Sequence, residues 1–376
     1  MFERIWHMLK KEFIQTFRDP RMKAVIFAMP VVQTLVFGYA VTTDIRNVPT
    51  AIYDQDRTPQ SRELVARFSG SGYFNLVFNL EDAAQISPLL DRGEVKAVVR
   101  IDQGFGADLE TGRMAPVQIL VDGSDSNTAG KILNYASQIT SDYGEQVLLH
   151  RAMLLSGAPP RASPVELETR SWFNPNLESR NYYVPGVIAL IVMLITLMLS
   201  SMAVVREKEI GTIEQIMVTP ITQAEFILGK TVPFALIGFV DVLLITAVAV
   251  FWFEIPLYGN ILLLLGGTAL YLMSTLGIGL LISTVSRTQQ QAMMSTFFFY
   301  FPAVLLSGFM FPIANMPSVI QWVTYLNPLR YFLVIVRGIF LKGVGSAVLW
   351  PEMVALAVLG TVMLLLAMQR FRKTQA

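Results

Sequence analysis

Arg206-Glu-Lys-Glu-Ile-Gly-Thr-Ile-Glu-Gln-Ile-Met-Val-Thr-Pro-Ile221 is a charged stretch that opens straight out of one apolar span, Val184–Val205, and leads back into another, Thr231–Trp252. Such a segment joins two membrane helices on one side of a bilayer, where a membrane protein meets a soluble partner. Working outward, further apolar runs near the ~20 residues that cross a bilayer are Ala24–Val41, Ile261–Val285, Gln291–Phe311 and Val348–Met368. The composition agrees: 53% of residues are hydrophobic and 15% are charged, against about 25% charged in soluble domains. The expected fold is an α-helical integral membrane protein of six transmembrane helices, with an inserted extracytoplasmic α/β domain.

Lysine and arginine set the orientation. Arg4, Lys10, Lys11, Arg18, Arg21 and Lys23 precede the first span. Arg206, Lys208 and Lys230 follow the second, Arg287 the fourth, and Arg370, Arg372 and Lys373 the last, whereas the loop Phe253–Asn260 has neither residue type. Both termini are therefore expected in the cytoplasm. The first span is too long, and its charged lead too extended, for a signal peptide. Net charge is +1, which gives no basic face for nucleic acid. The absence of cysteine excludes disulfides and thiol chemistry, and two histidines far apart, His7 and His150, make no metal cluster.

Residues 1–23 read as an amphipathic interfacial helix, with Phe2, Ile5, Trp6, Leu9, Phe13 and Phe17 near the helical period. The alternative is a helix packed on protein. Asp19-Pro20 interrupts it. Residues 24–42 form the first transmembrane helix. Residues 43–180 form the extracytoplasmic domain: strand-like Val48–Tyr53, Tyr73–Phe78, Ala97–Ile101 and Val117–Val121 alternate with helix-like Pro59–Phe68, Glu81–Arg92 and Ala129–Leu155, and Val165–Phe173 reads as a returning strand. Residues 181–376 carry helices two to six, a cytoplasmic coupling segment at 206–230 and an outer re-entrant segment at 311–345. The last is broken by Pro312, Pro317 and Pro328.

Four features are set aside or left open. Ala224-Glu-Phe-Ile-Leu-Gly-Lys-Thr231 has relaxed nucleotide-loop spacing, but it is a helix-forming run entering a span, not a glycine-rich turn after a strand. Asp122-Gly-Ser-Asp-Ser-Asn127 lacks calcium-loop spacing and reads as a turn with Asp125, Ser126 or Asn127 capping the next helix. Asp241 is an acidic residue well inside a span, a functional candidate by default. It either hydrogen-bonds a neighbouring helix or binds a proton or cationic substrate. Met294, Phe298 and Tyr300 lie in an aromatic run that either lines a greasy path or faces lipid.

Glu207 or Glu209, Gly211, Thr212, Glu214, Thr219 and Pro220 match the Glu-x-Gly-Thr-x-Glu…Thr-Pro-Ile pattern of ABC-2 type transporter permeases. Asn327, Pro328, Tyr331, Arg337, Gly338 and Gly343 match the Asn-Pro…Tyr…Arg-Gly…Gly run before that family's last membrane helix. Lys11-Glu-Phe-Ile-Gln-Thr-Phe-Arg-Asp-Pro-Arg21, with Pro30, Gln33 and Phe37-Gly-Tyr-Ala40, resembles the amino terminus of the larger bacterial members. The resemblance implies that segment 206–230 couples to an ATP-binding subunit. It also implies that ATP and Mg bind that partner and no cofactor binds this chain, that a second permease (identical or paralogous) completes the membrane half, and that a periplasmic adaptor often joins. The expected function is the permease subunit of a bacterial inner-membrane exporter for an amphipathic, lipid-like or drug-like molecule, without catalytic residues of its own. An ion-driven secondary transporter and a membrane anchor displaying the 43–180 domain are the alternatives. Physically, Gly211 is expected where two backbones approach, with Thr219 or Thr222 capping a short helix toward Gly229.

Overall fold

The computed structural model describes residues 2–18, 20–40, 47–156, 172–174, 178–212 and 222–373. It divides into two compact units, Met1–Thr42 with Arg170–Ala376, and Thr43–Thr169. The first unit begins with α1 (Phe2–Arg18) and, after a turn at Pro20–Lys23, α2 (Ala24–Ala40).

The Thr43–Thr169 unit is a four-stranded mixed sheet with helices on both faces. Strand β1 (Val48–Asp54) is central and pairs in parallel with β2 (Phe74–Asn79) and β3 (Ala97–Ile101). Strand β4 (Val117–Val121) runs antiparallel to β3, giving the order β2-β1-β3-β4. Helices α3 (Pro59–Gly70), α4 (Ile86–Asp91), α5 (Phe105–Thr111) and α6 (Ser126–Ser156) complete it. Alternate residues of β1 and β3 feed two cores. Val48, Ile52, Val99 and Ile101 pack with Leu64 and Phe68 of α3, Phe105 of α5 and Ile132 of α6. Ala51, Tyr53 and Val98 pack with Ile86 of α4. Burial on both faces explains why these strands read as near-continuous apolar runs. Asp125 caps α6, accepting from the backbone of Asn127 and Thr128, and Asp122 binds Lys96 at 2.7 Å. Of the expected returning strand, residues 165–171 lie outside the described residues, and Trp172 and Phe173 form a bend.

The other unit continues with α7 (Ser179–Ile210), α8 (Gln223–Phe251), α9 (Ile261–Val285), α10 (Gln289–Leu305), α11 (Ser318–Thr324), α12 (Pro328–Arg337) and α13 (Ser346–Lys373). Helix α7 is the axis of the bundle, with 83% of its most apolar window buried, and α2, α8, α9, α10 and α12 all touch it. Helix α13 lies against α9, where Gly277 and Gly360 admit the opposing backbone to about 3 Å from the place of a Cβ, the small-residue packing typical of membrane helices. Its far side presents Trp350, Val354, Val358 and Val362, all exposed. That apolar stripe suits lipid.

Among the described residues, four helices, within α7, α8, α9 and α13, are long and apolar enough to cross a membrane, where six spans are expected; a fifth is counted if α11 and the helix through Lys342 form one span bent by 78°. Helix α2 falls among the shorter apolar helices. The expected span Gln291–Phe311 stops at Leu305. Pro302 lies in its last turn, and Gly308 at φ 81° turns the chain away.

Candidate functional site

The charged stretch is rooted in the ends of α7 and α8, and each root is built by local rules. Helix α7 stops at Gly211, whose φ of 79° is left-handed; the Thr212 N–H donates to Glu207 O and the Gly211 N–H to Lys208 O. This paired closure favours glycine. Among the described residues a Cβ at Gly211 would meet nothing within 4 Å, and the turn itself accounts for the glycine. Helix α8 starts with a capping box: Thr222 Oγ1 accepts from the Glu225 N–H at 3.3 Å, and Glu225 Oε2 accepts from the Thr222 N–H at 2.8 Å. Thr222 thus opens the long helix α8 itself, not a separate short one.

Between these roots lies a buried charge cluster. Lys230, with 4% of its side chain exposed, donates to Glu12 Oε1 and Glu207 Oε1, each at 2.7 Å. Lys11 reaches the same Glu207 oxygen at 3.1 Å, and the Thr212 hydroxyl donates to Glu207 Oε2. Buried charges persist only when paired and hydrogen-bonded, and here two cations meet two carboxylates. The cluster joins α1, the end of α7 and the first turns of α8. Met8 seals it, lying 3.0 Å from where a Gly229 Cβ would stand. Helix α1 is thus packed against α8 through Met8 and Glu12, while Trp6, Ile14 and Phe17 stay exposed on its other side.

Two more contacts extend the junction. Lys208 Nζ donates to Thr284 O, near the end of α9, at 2.9 Å. Glu209 accepts from the backbone and side-chain amides of Gln289 at the start of α10, where a carboxylate favours the helix dipole. Of the expected coupling residues, Glu207, Gly211 and Thr212 come together and Glu209 stands on the α10 side. Glu214, Thr219 and Pro220 lie outside the described residues. The sequence reading placed Glu207 among groups free to meet a partner protein; the structure turns it inward. It also missed Lys11, Glu12 and Lys230. Glu12 follows Met8 by one helical turn, so an acid on the inward face was the available signal. The stretch with nucleotide-loop spacing is helix within α8.

At another part of the bundle, Asn327 caps α12, accepting from the Leu329 N–H at 3.1 Å, and donates to Ala303 O at 2.7 Å. It thereby ties α12 to the end of α10. Arg337 lies 3.7 Å from the Tyr182 ring centroid and donates to Tyr182 O and Gly308 O. Arg330 stacks 3.9 Å from the Tyr325 ring centroid, and the Tyr331 hydroxyl donates to Tyr325 O. Aromatic faces hold these two cations. Gly338 abuts Val344 and Leu349. The four translocation candidates do not form one site. Asp241 is fully buried, and both its oxygens lack a hydrogen-bond partner among the described residues; the expected bond to a neighbouring helix is not made. Tyr300 points inward, donating to Leu190 O at 3.4 Å. Met294 and Phe298 are exposed on the opposite face of α10.

A bundle of apolar helices around α7, with a charged junction at one end, defines a multi-pass membrane subunit. Residues 24–368 match the family described as ABC-2 family transporter protein, and the chain belongs to that family. It is 34% identical over 365 residues to the probable multidrug ABC transporter permease YbhR of Escherichia coli (strain K12), covering 96% of this chain and 97% of that one. It is 31% identical over 344 residues to YbhS of the same strain, also a probable multidrug ABC transporter permease, covering 91% and 89%. The linearmycin resistance permease protein LnrN of Bacillus subtilis (strain 168) is 23% identical over 334 residues, covering 84% and 85%. As an ABC transporter permease subunit, the chain is a membrane component and not a catalyst, and its family implies an ATP-binding partner.

Proposed function

We propose that this permease exports an amphipathic, lipid-like or drug-like molecule across a bacterial inner membrane, driven by ATP that a separate subunit binds with Mg and hydrolyses. A second permease, identical or paralogous, completes the membrane half, and a periplasmic adaptor can join it. Both termini and the 206–230 segment face the cytoplasm, and the Thr43–Thr169 unit faces out. Helices α2 and α10 complete six spans; α10 has 17 residues, or about 26 Å at 1.5 Å per residue, close to the hydrocarbon thickness of ~30 Å.

One observation carries this reading: Lys230 clamps the two roots of the family's signature segment to α1 through Glu207 and Glu12. A push on that segment is therefore delivered to three helices together. The printed descriptions of YbhR and YbhS as probable multidrug permeases support the substrate class.

The test is co-reconstitution with the ATP-binding subunit into proteoliposomes loaded with Hoechst 33342. ATP-dependent movement of the dye is expected. Movement driven by a proton gradient without ATP would favour the ion-driven alternative, whose physical support is the unpartnered carboxylate of Asp241. No movement under either condition would favour the anchor. Orientation has its own check: a cysteine at Ser71 should react with an impermeant thiol reagent from outside, and one at Thr374 should not.

A further inference from the structure

The Thr43–Thr169 unit holds a cavity of about 560 Å³ between α3, α5 and α6, within the ~300–1,000 Å³ of small-molecule sites. Besides His150, its polar groups fall into two sets. One is internally satisfied: Arg67 pairs with Glu63 at 2.9 Å, donates to Gln146 at 2.6 Å and lies over the Tyr143 ring, while the Tyr143 hydroxyl donates to Gln60 O. The other set comprises one cation and one anion that do not pair. Arg151 donates only to Thr111 O, at 3.0 Å, and Glu110 accepts only from Gln60, at 2.9 Å. Neither has an ion-pair partner among the described residues, although Glu110 and Thr111 are neighbours in sequence.

Arg151 lies against the cap of α5. Its guanidinium lies over Gly112, where a Cβ would stand 1.6 Å from Nη1. Gly112 itself is the left-handed cap of α5, with φ 77°. The same cavity is lined by Leu109, Val147 and Leu154, and Leu154 is 74% exposed. A positioned cation, an unmatched carboxylate and an apolar wall in one concave site describe a ligand with both charges and a hydrocarbon tail.

We propose that this cavity binds a zwitterionic amphiphile, its anionic group on Arg151, its cationic group on Glu110 and its tail along Leu109, Val147 and Leu154. The site belongs to this unit alone and stands whether or not the transport reading holds. Phospholipids and soluble single-chain amphiphiles share the chemistry.

Isothermal titration of the full chain in lipid nanodiscs tests it with hexylphosphocholine, and with hexyl phosphate and hexyltrimethylammonium as single-charge analogues. Saturable binding is expected, tightest for the zwitterion. Arg151→Gln should weaken hexylphosphocholine and hexyl phosphate about ten-fold, the scale of a lost charge-assisted hydrogen bond, and leave hexyltrimethylammonium unchanged. Glu110→Gln should do the reverse. Gly112→Ala keeps the charge but displaces the guanidinium, and should resemble Arg151→Gln. Tighter binding of dihexanoylphosphatidylethanolamine than of hexylphosphocholine would assign the occupant to phospholipids; the opposite order would assign it to soluble amphiphiles. Absence of saturable binding, equal affinity for all three hexyl probes, or indifference to both charge substitutions would overturn the proposal.

Discussion

Lys230→Met is the sharpest perturbation of the junction. Lys230 lies 2.7 Å from two carboxylate oxygens. At an effective dielectric constant of about 20, each contact is worth roughly 6 kcal/mol of gross Coulomb energy, most of it offset by desolvation. Removing one partner of a buried pair typically costs about 3–5 kcal/mol, because the other charge is left unmatched. Here two carboxylates would be left facing a thioether, with the half-exposed Lys11 the remaining cation, 3.1 Å from Glu207 and 4.0 Å from Glu12. Helix α1 is attached through this cluster and Met8, so the cost should emerge as local opening of α1. Hydrogen exchange reads that opening directly. Amides of the α1 turn around Glu12 should lose protection between about a hundred-fold and a few thousand-fold, at ten-fold per 1.4 kcal/mol. The triple variant Glu12→Met, Lys230→Met, Glu207→Met removes the three strongly buried charges of the cluster and should recover most of the loss, since apolar replacements of buried ion pairs are often neutral. Unchanged α1 exchange in Lys230→Met, or a triple variant as damaged as the single, would refute the assignment of the cluster as the clasp.

Gly211 should rank by backbone tolerance: Gly211→Ala costs about 1–2 kcal/mol in a left-handed cap, and Gly211→Asn less, read as exchange in the last turn of α7 and as stimulation of the partner ATPase. Asn being worse than Ala would restore a steric role for the glycine. Asn327→Ala should cost about 2–4 kcal/mol, summing a lost cap and an orphaned Ala303 carbonyl, while Asn327→Asp should keep the cap alone; exchange at the first turn of α12 separates them. Asp56 accepts from the amides of Gly104 and Gly106 at 2.8 Å. Burial pushes its carboxyl up, but hydrogen bonds from Thr58, Gly106, Gly104 and Phe105 outweigh it and hold it below the usual carboxylate range. Its contribution is therefore complete above the unfolded value of about 3.9 and lost as pH falls through the folded one, so the amides opening α5 should lose protection below about pH 4 in wild type and lose none of that component in Asp56→Asn.

Much of the fold was readable because single segments specify it. The strands of the Thr43–Thr169 unit have two-sided burial and so appear as compact apolar runs, and the long helices α7, α8, α9 and α13 must match a bilayer. Helix α5 was missed because seven residues carry too little periodicity; Gly104 and Gly112, both left-handed, flank it and were the overlooked punctuation. The site was harder. Lys230 meets Glu12 across 218 residues, and Arg337 meets Tyr182 across 155. Pairings of that range leave no local pattern. A charged residue at a helix end reads as solvated until the element covering it is known.

The inward turn of Glu207 changes how coupling can work. A carboxylate 4% exposed and bound by Lys230, Lys11 and Thr212 is turned toward its own chain. Glu209 is spanned by Gln289. Among the described residues of the junction, Arg206 is exposed, and the Lys11 side chain is 54% exposed even while paired. The acidic docking expected from the sequence then rests on Glu209, which stays exposed, and on Glu214, outside the described residues. Rim charges of that kind set encounter rate and salt dependence more than affinity, whereas the buried cluster beneath them ties α1, α7 and α8 to one another.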